Sequence, residues 1–133
     1  MSPPAAERLA GIARVYGREG AAAIAGLHVA VVGIGGVGSW TVESLARSGV
    51  GRLTLIDFDR VEPSNTNRQV HALDGAYGRR KVEVMAERAA AIQPGIHVEP
   101  IADHLTDETL VPYLERGYDH VVDAIDSIRF KAA

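Results

Sequence analysis

The run His28-Val29-Ala30-Val31-Val32-Gly33-Ile34-Gly35-Gly36-Val37-Gly38-Ser39 decides the fold. Val29 to Val32 are apolar without alternation, as in a strand buried on both faces. Gly33, Gly35 and Gly38 then fit G-x-G-x-x-G, and residues 39–48 read as a helix ended by Gly49 and Gly51. Each glycine answers a different need: a tight turn, close backbone approach to a phosphate, and close packing of helix on strand. The start of the helix offers free N–H groups and a positive dipole end to an anion. Asp57 follows 19 residues after Gly38, at the tip of the next strand, where an acidic residue accepts ribose hydroxyls. The bland alternative is a tight turn kept only for packing. The strand, the helix and Asp57 together favour a nucleotide site. No G-x-x-x-x-G-K-[ST] occurs, so this is not a Walker-type loop.

Outward from that run, residues 5–25 are Ala-rich and read as one or two helices broken near Gly17 and Gly20. Leu53-Thr54-Leu55-Ile56-Asp57 is a second buried strand. Residues 59–78 form a polar connection of a length usually reserved for function or disorder. A helix is expected over 79–92, with Val82, Met85, Ala86 and Ala89 at core spacing. A less buried strand follows at 97–101, a helix at 106–115 and a fourth strand at 120–125. Val37, Thr41, Ser44, Leu45 and Ser48 are expected on the packed stripe of the helix after the glycine turn. Alternating strands and helices predict an α/β fold: a Rossmann-like, open, mainly parallel sheet with flanking helices. The division is an N-terminal helical arm, 1–26, and a Rossmann-like nucleotide-binding domain, 27–133. The ending Phe130-Lys131-Ala132-Ala133 has no cap after it, so that domain reads as truncated inside a helix.

Composition narrows the function. The 133 residues are 47% hydrophobic and 23% charged, an ordinary one-domain composition. The net charge of −3 argues against a free-standing nucleic-acid binder. Cysteine is absent, which excludes disulfides, thiolate metal sites and a cysteine nucleophile. No apolar run reaches the roughly 18–20 residues of a membrane span, and the start lacks a signal peptide's pattern. The chain therefore reads as soluble and cytoplasmic. The five histidines show no H-x-x-x-H spacing. Trp40, Tyr77, Tyr113 and Tyr118 read as packing residues.

A plain dinucleotide-binding domain needs nothing elaborate after Asp57. This chain adds Asp59, then Ser64-Asn65-Thr66-Asn67-Arg68-Gln69, then Lys81, all beyond the carboxyl end of a strand, where open sheets bind ligands. Arg68 can fork two phosphate oxygens and Lys81 can add a point charge. Asp126 ends another strand on the same rim and can hold Mg²⁺, which favours one or two carboxylates plus phosphate oxygens. Singly, these residues have bland readings. Arg68 and Lys81 could be solvated charges, Asp59 could pair with Arg60 or Arg68, and Asp126 could cap a helix. Asp123 lies in or beside the last strand and needs a partner if buried. Together on one rim, the set suits a triphosphate better than a hydride carrier.

In their order, Val32 to Ser39, Asp57-Phe58-Asp59, Ser64 to Gln69, Lys81 and Asp123-Ala124-Ile125-Asp126-Ser127 resemble the ThiF/MoeB/ubiquitin-activating superfamily. The resemblance covers about residues 8–133. The wording of 33–40, 65–73 and 81–88 is similar to its tRNA threonylcarbamoyladenosine dehydratase branch. It implies ATP–Mg²⁺-dependent adenylylation of a carboxylate, here that of threonylcarbamoyladenosine in tRNA, followed by ring closure and loss of AMP. Carried over by position, Gly33, Gly35, Gly36 and Gly38 contact the nucleotide, with Asp59 beside it. Asp57 holds the ribose. Asn65, Arg68 and Gln69 lie along the phosphates beside Lys81, and Asp126 binds Mg²⁺. Arg68, Lys81 and Asp126 are the catalytic set. The resemblance also implies a homodimer in which the partner's arm supplies an arginine. Gly11 falls at that place here, so Arg8 or Arg14 would substitute. Two alternatives stay open: adenylylation of a small sulfur-carrier or ubiquitin-like protein, and an NAD-binding oxidoreductase domain. A third is a non-catalytic interaction module.

Overall fold

β-Branched and aliphatic residues form four short strands, His28–Val32 (β1), Arg52–Ile56 (β2), His97–Ile101 (β3) and His120–Asp123 (β4). The computed structural model describes residues 3–126. All pairings are parallel, in the order β3-β2-β1-β4. Helices occupy the crossovers: Gly38–Arg47 (α3) between β1 and β2, Lys81–Ile92 (α4) between β2 and β3, and Asp107–Leu114 (α5) between β3 and β4. The arm comprises Ala5–Arg8 (α1) and Ala10–Ala25 (α2).

Alternation along the strands sorts the core into two layers. Val29, Val31, Leu53 and Leu55 pack with Val42 and Ala46 of α3 and Val82, Met85 and Ala89 of α4. Val32 and Ile56 pack on the other side, with Leu110 of α5 and Ile125. The sheet thus lies between helices and fixes where its strand ends open. β3 is less buried than β1 and β2, as expected at an edge.

Three expectations change. α3 buries Gly38, Ser39, Val42, Glu43 and Ala46, while Val37 and Ser44 are exposed. The packed stripe is therefore rotated by about one residue from Val37-Thr41-Ser44-Leu45-Ser48, because the close approach of Gly38 to the strand sets the helix's phase. The arm breaks at Leu9 and at Gly17 (φ 75°), and continues helical through Gly20. Trp40 is not a packing residue but half exposed. The terminal helix expected after Asp126, and the truncation read within it, lie outside the described residues. Among the described residues no helix is long and apolar enough to cross a membrane.

Candidate functional site

The exits of all four strands converge on one cavity of about 220 Å³. β1 contributes Gly33, Ile34 and Gly35, β2 contributes Asp57 and Asp59, the segment after β3 contributes Leu105, and β4 is followed there by Ala124, Ile125 and Asp126. Gln69 and Lys81 complete the wall. β1 and β4 flank the point where the chain reverses its direction of travel across the sheet, the usual ligand crevice of such folds. A larger cavity of about 480 Å³ lies between α5 and β4, but its wall is mostly aliphatic, with Val111, Leu114 and Val121. The polar chemistry is in the smaller one.

The glycine turn is built as its spacing predicts. Gly33 has φ +90°, and a Cβ there would lie 2.8 Å from the Ala124 carbonyl oxygen. A Cβ on Gly38 would lie 1.6 Å from the Gly33 oxygen, so only glycine lets α3 start this close to β1. At Gly35 and Gly36 the nearest atoms to such a carbon, on Gln69 and Arg68, are 3.7 Å away. Neither position is closed to a side chain, and Gly35 lines the cavity. Among the described residues, the Gly35 and Gly36 N–H groups donate to no acceptor. Unused amides at a helix start are anion donors.

Asp57 is 4% exposed and already committed in part. Its Oδ2 accepts from Ile34 N–H at 2.6 Å and its Oδ1 from Asp59 N–H at 2.9 Å. Each carboxylate oxygen can accept a second bond, so the cavity-facing residue keeps capacity for a ribose hydroxyl. Lys81 is 6% exposed, against its bland reading as a solvated charge. It opens α4, is held by its backbone N–H to Asp59 O, and its amino group has no ion-pair partner among the described residues. Gln69 is buried and its Oε1 has no hydrogen-bond partner among the described residues. Asp59 and Asp126 are exposed on the rim, and neither carboxylate accepts a hydrogen bond or ion pair among the described residues. Buried polar groups left unsatisfied in a native fold call for an explanation. Of the three described residues with such side-chain atoms, Gln69, His71 and Tyr118, it is Gln69 that lines this cavity.

Asn65 and Arg68 stand apart from that wall. Asn65 is buried, and its Oδ1 accepts from Glu62 N–H at 2.8 Å, which closes the 3₁₀ turn Pro63–Asn65. Arg68 is exposed and donates to Ser64 O and Asn67 Oδ1, both at 3.0 Å. Its side-chain stem lies beside Gly36, and its carbonyl accepts from Trp40 Nε1 at 2.9 Å. Trp40 thereby ties the first turn of α3 to the loop that carries Arg68. Asp123 is exposed and accepts from Ile125 N–H at 3.1 Å, so it has the local partner it needs. On the arm, Arg8 donates to Pro3 O and to Ile92 O, while Arg14 is exposed.

Sequence reasoning misses the apolar side of the cavity, Leu105, Ala124 and Ile125, and it gives no role to His71. His71 is fully buried and its Nε2 bonds Ile34 O at 3.0 Å. Burial lowers its pKa, an effect that Lys81 reinforces. No spacing signal joins residues 34 and 71.

Residues 6–133 match the ThiF family. The chain is 50% identical over 127 residues to the tRNA threonylcarbamoyladenosine dehydratase of Escherichia coli K12, covering 96% of this chain and 47% of that protein. It is 38% identical over 117 residues to the molybdopterin-synthase adenylyltransferase of Salmonella typhimurium, covering 88% of this chain and 47% of that protein. A crystal structure of the E. coli dehydratase in complex with ATP matches with a TM-score of 0.92 at 50% identity, over 96% of this chain and 52% of that one. The chain spans about half the length of the curated relatives it matches. With strand order, glycine turn and family match in agreement, the chain belongs to the ThiF family.

Proposed function

We propose that this chain is the ATP-binding part of an enzyme that adenylylates a carboxylate, with the threonylcarbamoyladenosine of tRNA as acceptor. The observation that carries the reading is the wall of polar groups unused among the described residues: Gly35 with its free amide, Gln69 with its free Oε1 and the buried Lys81 line one cavity, and the free Gly36 amide follows next in the chain. The E. coli relative crystallised with ATP supports the nucleotide. In the proposed reaction a carboxylate oxygen of the acceptor attacks the α-phosphorus of ATP. The bond to the β-phosphate oxygen breaks, and pyrophosphate leaves with the electron pair. A nucleophile of the same acceptor then attacks the activated carbonyl carbon, the ring closes, and AMP leaves.

The residues divide that work by position. The Gly35 and Gly36 amides and Lys81 stabilise negative charge on the phosphates, a stabilisation that grows as charge shifts toward the leaving group. Asp57 orients the ribose, and Leu105 and Ile125 exclude water from its side of the cavity. Asn65 and Gln69 hold the loop and the phosphate chain, and Arg68 closes over them by leaving its bonds to Ser64 and Asn67. Asp59 and Asp126 fit Mg²⁺, since two free carboxylates on an open rim leave its other positions to phosphate oxygens and water. Bound there, Mg²⁺ supplies charge neutralisation and orientation of the phosphates. A cytoplasmic setting, a homodimer and the division into an arm (1–26) and a nucleotide-binding domain (27–133) belong to the same proposal.

Mass spectrometry of nucleosides from tRNA carrying threonylcarbamoyladenosine tests it, after incubation with the protein, ATP and Mg²⁺. The expected product is lighter by one water, with release of AMP and pyrophosphate. Pyrophosphate–ATP exchange that needs a small carrier protein and ignores tRNA would move the protein to the reading favoured by its 38% identity to the Salmonella adenylyltransferase. An NAD-binding domain gives the buried Lys81 no task.

A further inference from the structure

Two bonds fix the backbone on either side of the Ile34 Cα. On one side, Ile34 N–H donates to Asp57 Oδ2 at 2.6 Å. On the other, Ile34 O meets His71 Nε2 at 3.0 Å. A carbonyl oxygen only accepts, so Nε2 carries the hydrogen. Nδ1 is then the bare nitrogen of a neutral ring, and it has no partner among the described residues. The 34–35 peptide is trans, so its N–H points opposite to its C=O. The His71 bond draws the carbonyl to one side and thereby turns the Gly35 N–H to the other. Gly35 lines the cavity, and its N–H is unused among the described residues.

We propose that His71 is a positioning residue of the nucleotide site: acting through the Ile34–Gly35 peptide as a neutral Nε2–H donor, it holds the Gly35 amide toward the cavity, ready for a phosphate oxygen. The inference rests on the nucleotide reading for its ligand and on geometry alone for the clamp. Of the charged groups around the ring, Lys81 and Asp57 act on it, while the Asp74 carboxylate is exposed and makes no hydrogen bond to Nδ1. Lys81 of α4 disfavours a second proton, and Asp57 after β2 favours one but is committed to Ile34 and Asp59. The groove on the other side of His71 carries Asp74, Arg79, Glu87 and Arg88. Arg79 pairs with Glu87, and Arg88 pairs with Glu43. A proton on Nδ1 would be a buried donor without an acceptor, which is costly.

Nuclear magnetic resonance and calorimetry on the whole chain test this, using wild type, His71→Leu and His71→Gln. Glutamine keeps an amide donor where leucine has none. In wild type, the imidazole ¹⁵N spectrum should report the Nε2–H tautomer from pH 6 to 8. Without ligand, the Gly35 amide order parameter should fall in His71→Leu and recover in His71→Gln. ATP affinity should fall about tenfold and recover to within about threefold. An Nδ1–H tautomer or an imidazolium in wild type at neutral pH overturns the inference even if neither variant folds. So does an unchanged Gly35 order parameter in folded His71→Leu. If the clamp behaves as described but wild type binds no ATP, the positioning role stands and the nucleotide reading falls.

Discussion

Gly35 and Gly38 sit in one turn but are glycine for opposite reasons. Gly38 has no room for a side chain, whereas Gly35 has room only while the cavity is empty. Gly38→Ala should therefore cost more than about 3 kcal/mol in urea unfolding, because backbone rather than a flexible side chain stands in the way. Gly35→Ala should leave the unfolding free energy within about 0.5 kcal/mol of wild type and lower ATP affinity at least tenfold by calorimetry. His71 carries a separate pH signature. Burial holds its pKa below the ordinary 6.5, so the unfolded chain binds its proton more readily. Its contribution to stability is complete above about pH 6.5 and is lost as pH falls below that. Urea unfolding from pH 7.5 to 5 should show a drop in wild type that is shallower in His71→Gln. A residual slope belongs to His28, whose pKa burial also lowers. Equal slopes would mean that His71 does not titrate between the two states. The glycines were legible in the chain because turn chemistry is local. His71 was not, since its partner is 37 residues away and only the fold joins them.

At the scale of elements, strands and helices could be read from apolar runs, but the phase of α3 could not. Residue spacing defines a stripe only up to rotation about the helix axis, and the contact of Gly38 with the Gly33 carbonyl settles it. The same rotation turns Glu43 inward. Its Oε2 accepts from Arg88 Nε at 2.5 Å across to α4, and its Oε1 from Arg47 Nε at 3.0 Å along α3. Burial alone would raise the Glu43 pKa, but the Arg88 and Arg47 guanidiniums outweigh it and the net shift is downward. This bridge joins the helix that starts the glycine turn to the helix that starts with Lys81. Glu43→Ala should lower stability by about 2 kcal/mol at pH 7, most of it from loss of the charged bonds across the helices. The same variant measured in 1 M NaCl should keep more than half of that loss, since the Glu43 carboxylate is buried although Arg88 is about a third exposed. A loss that vanishes in salt would make the pair a surface contact without structural weight.

Over the whole molecule, the four strand exits gather residues from 33 to 126 around one cavity. Asp57, Asp59, Gln69, Lys81 and Asp126 meet there as their motif positions imply, while the Arg68 guanidinium turns to its own loop. Arg68 lies on an exposed loop whose Ser64 and Asn67 oxygens are within its reach, whereas Lys81 is carried inward by the first turn of α4. The most direct measurement is a pair of calorimetric titrations with Mg²⁺–ATP and with NAD, on wild type and on Lys81→Met. Wild type should bind ATP and not NAD. Lys81→Met should weaken ATP binding about thirtyfold, the loss of one charge-assisted contact, with stability unchanged or raised because the amino group has no ion pair among the described residues to lose. Binding of NAD without ATP, or equal ATP affinity in the two proteins, would contradict a triphosphate held at this wall.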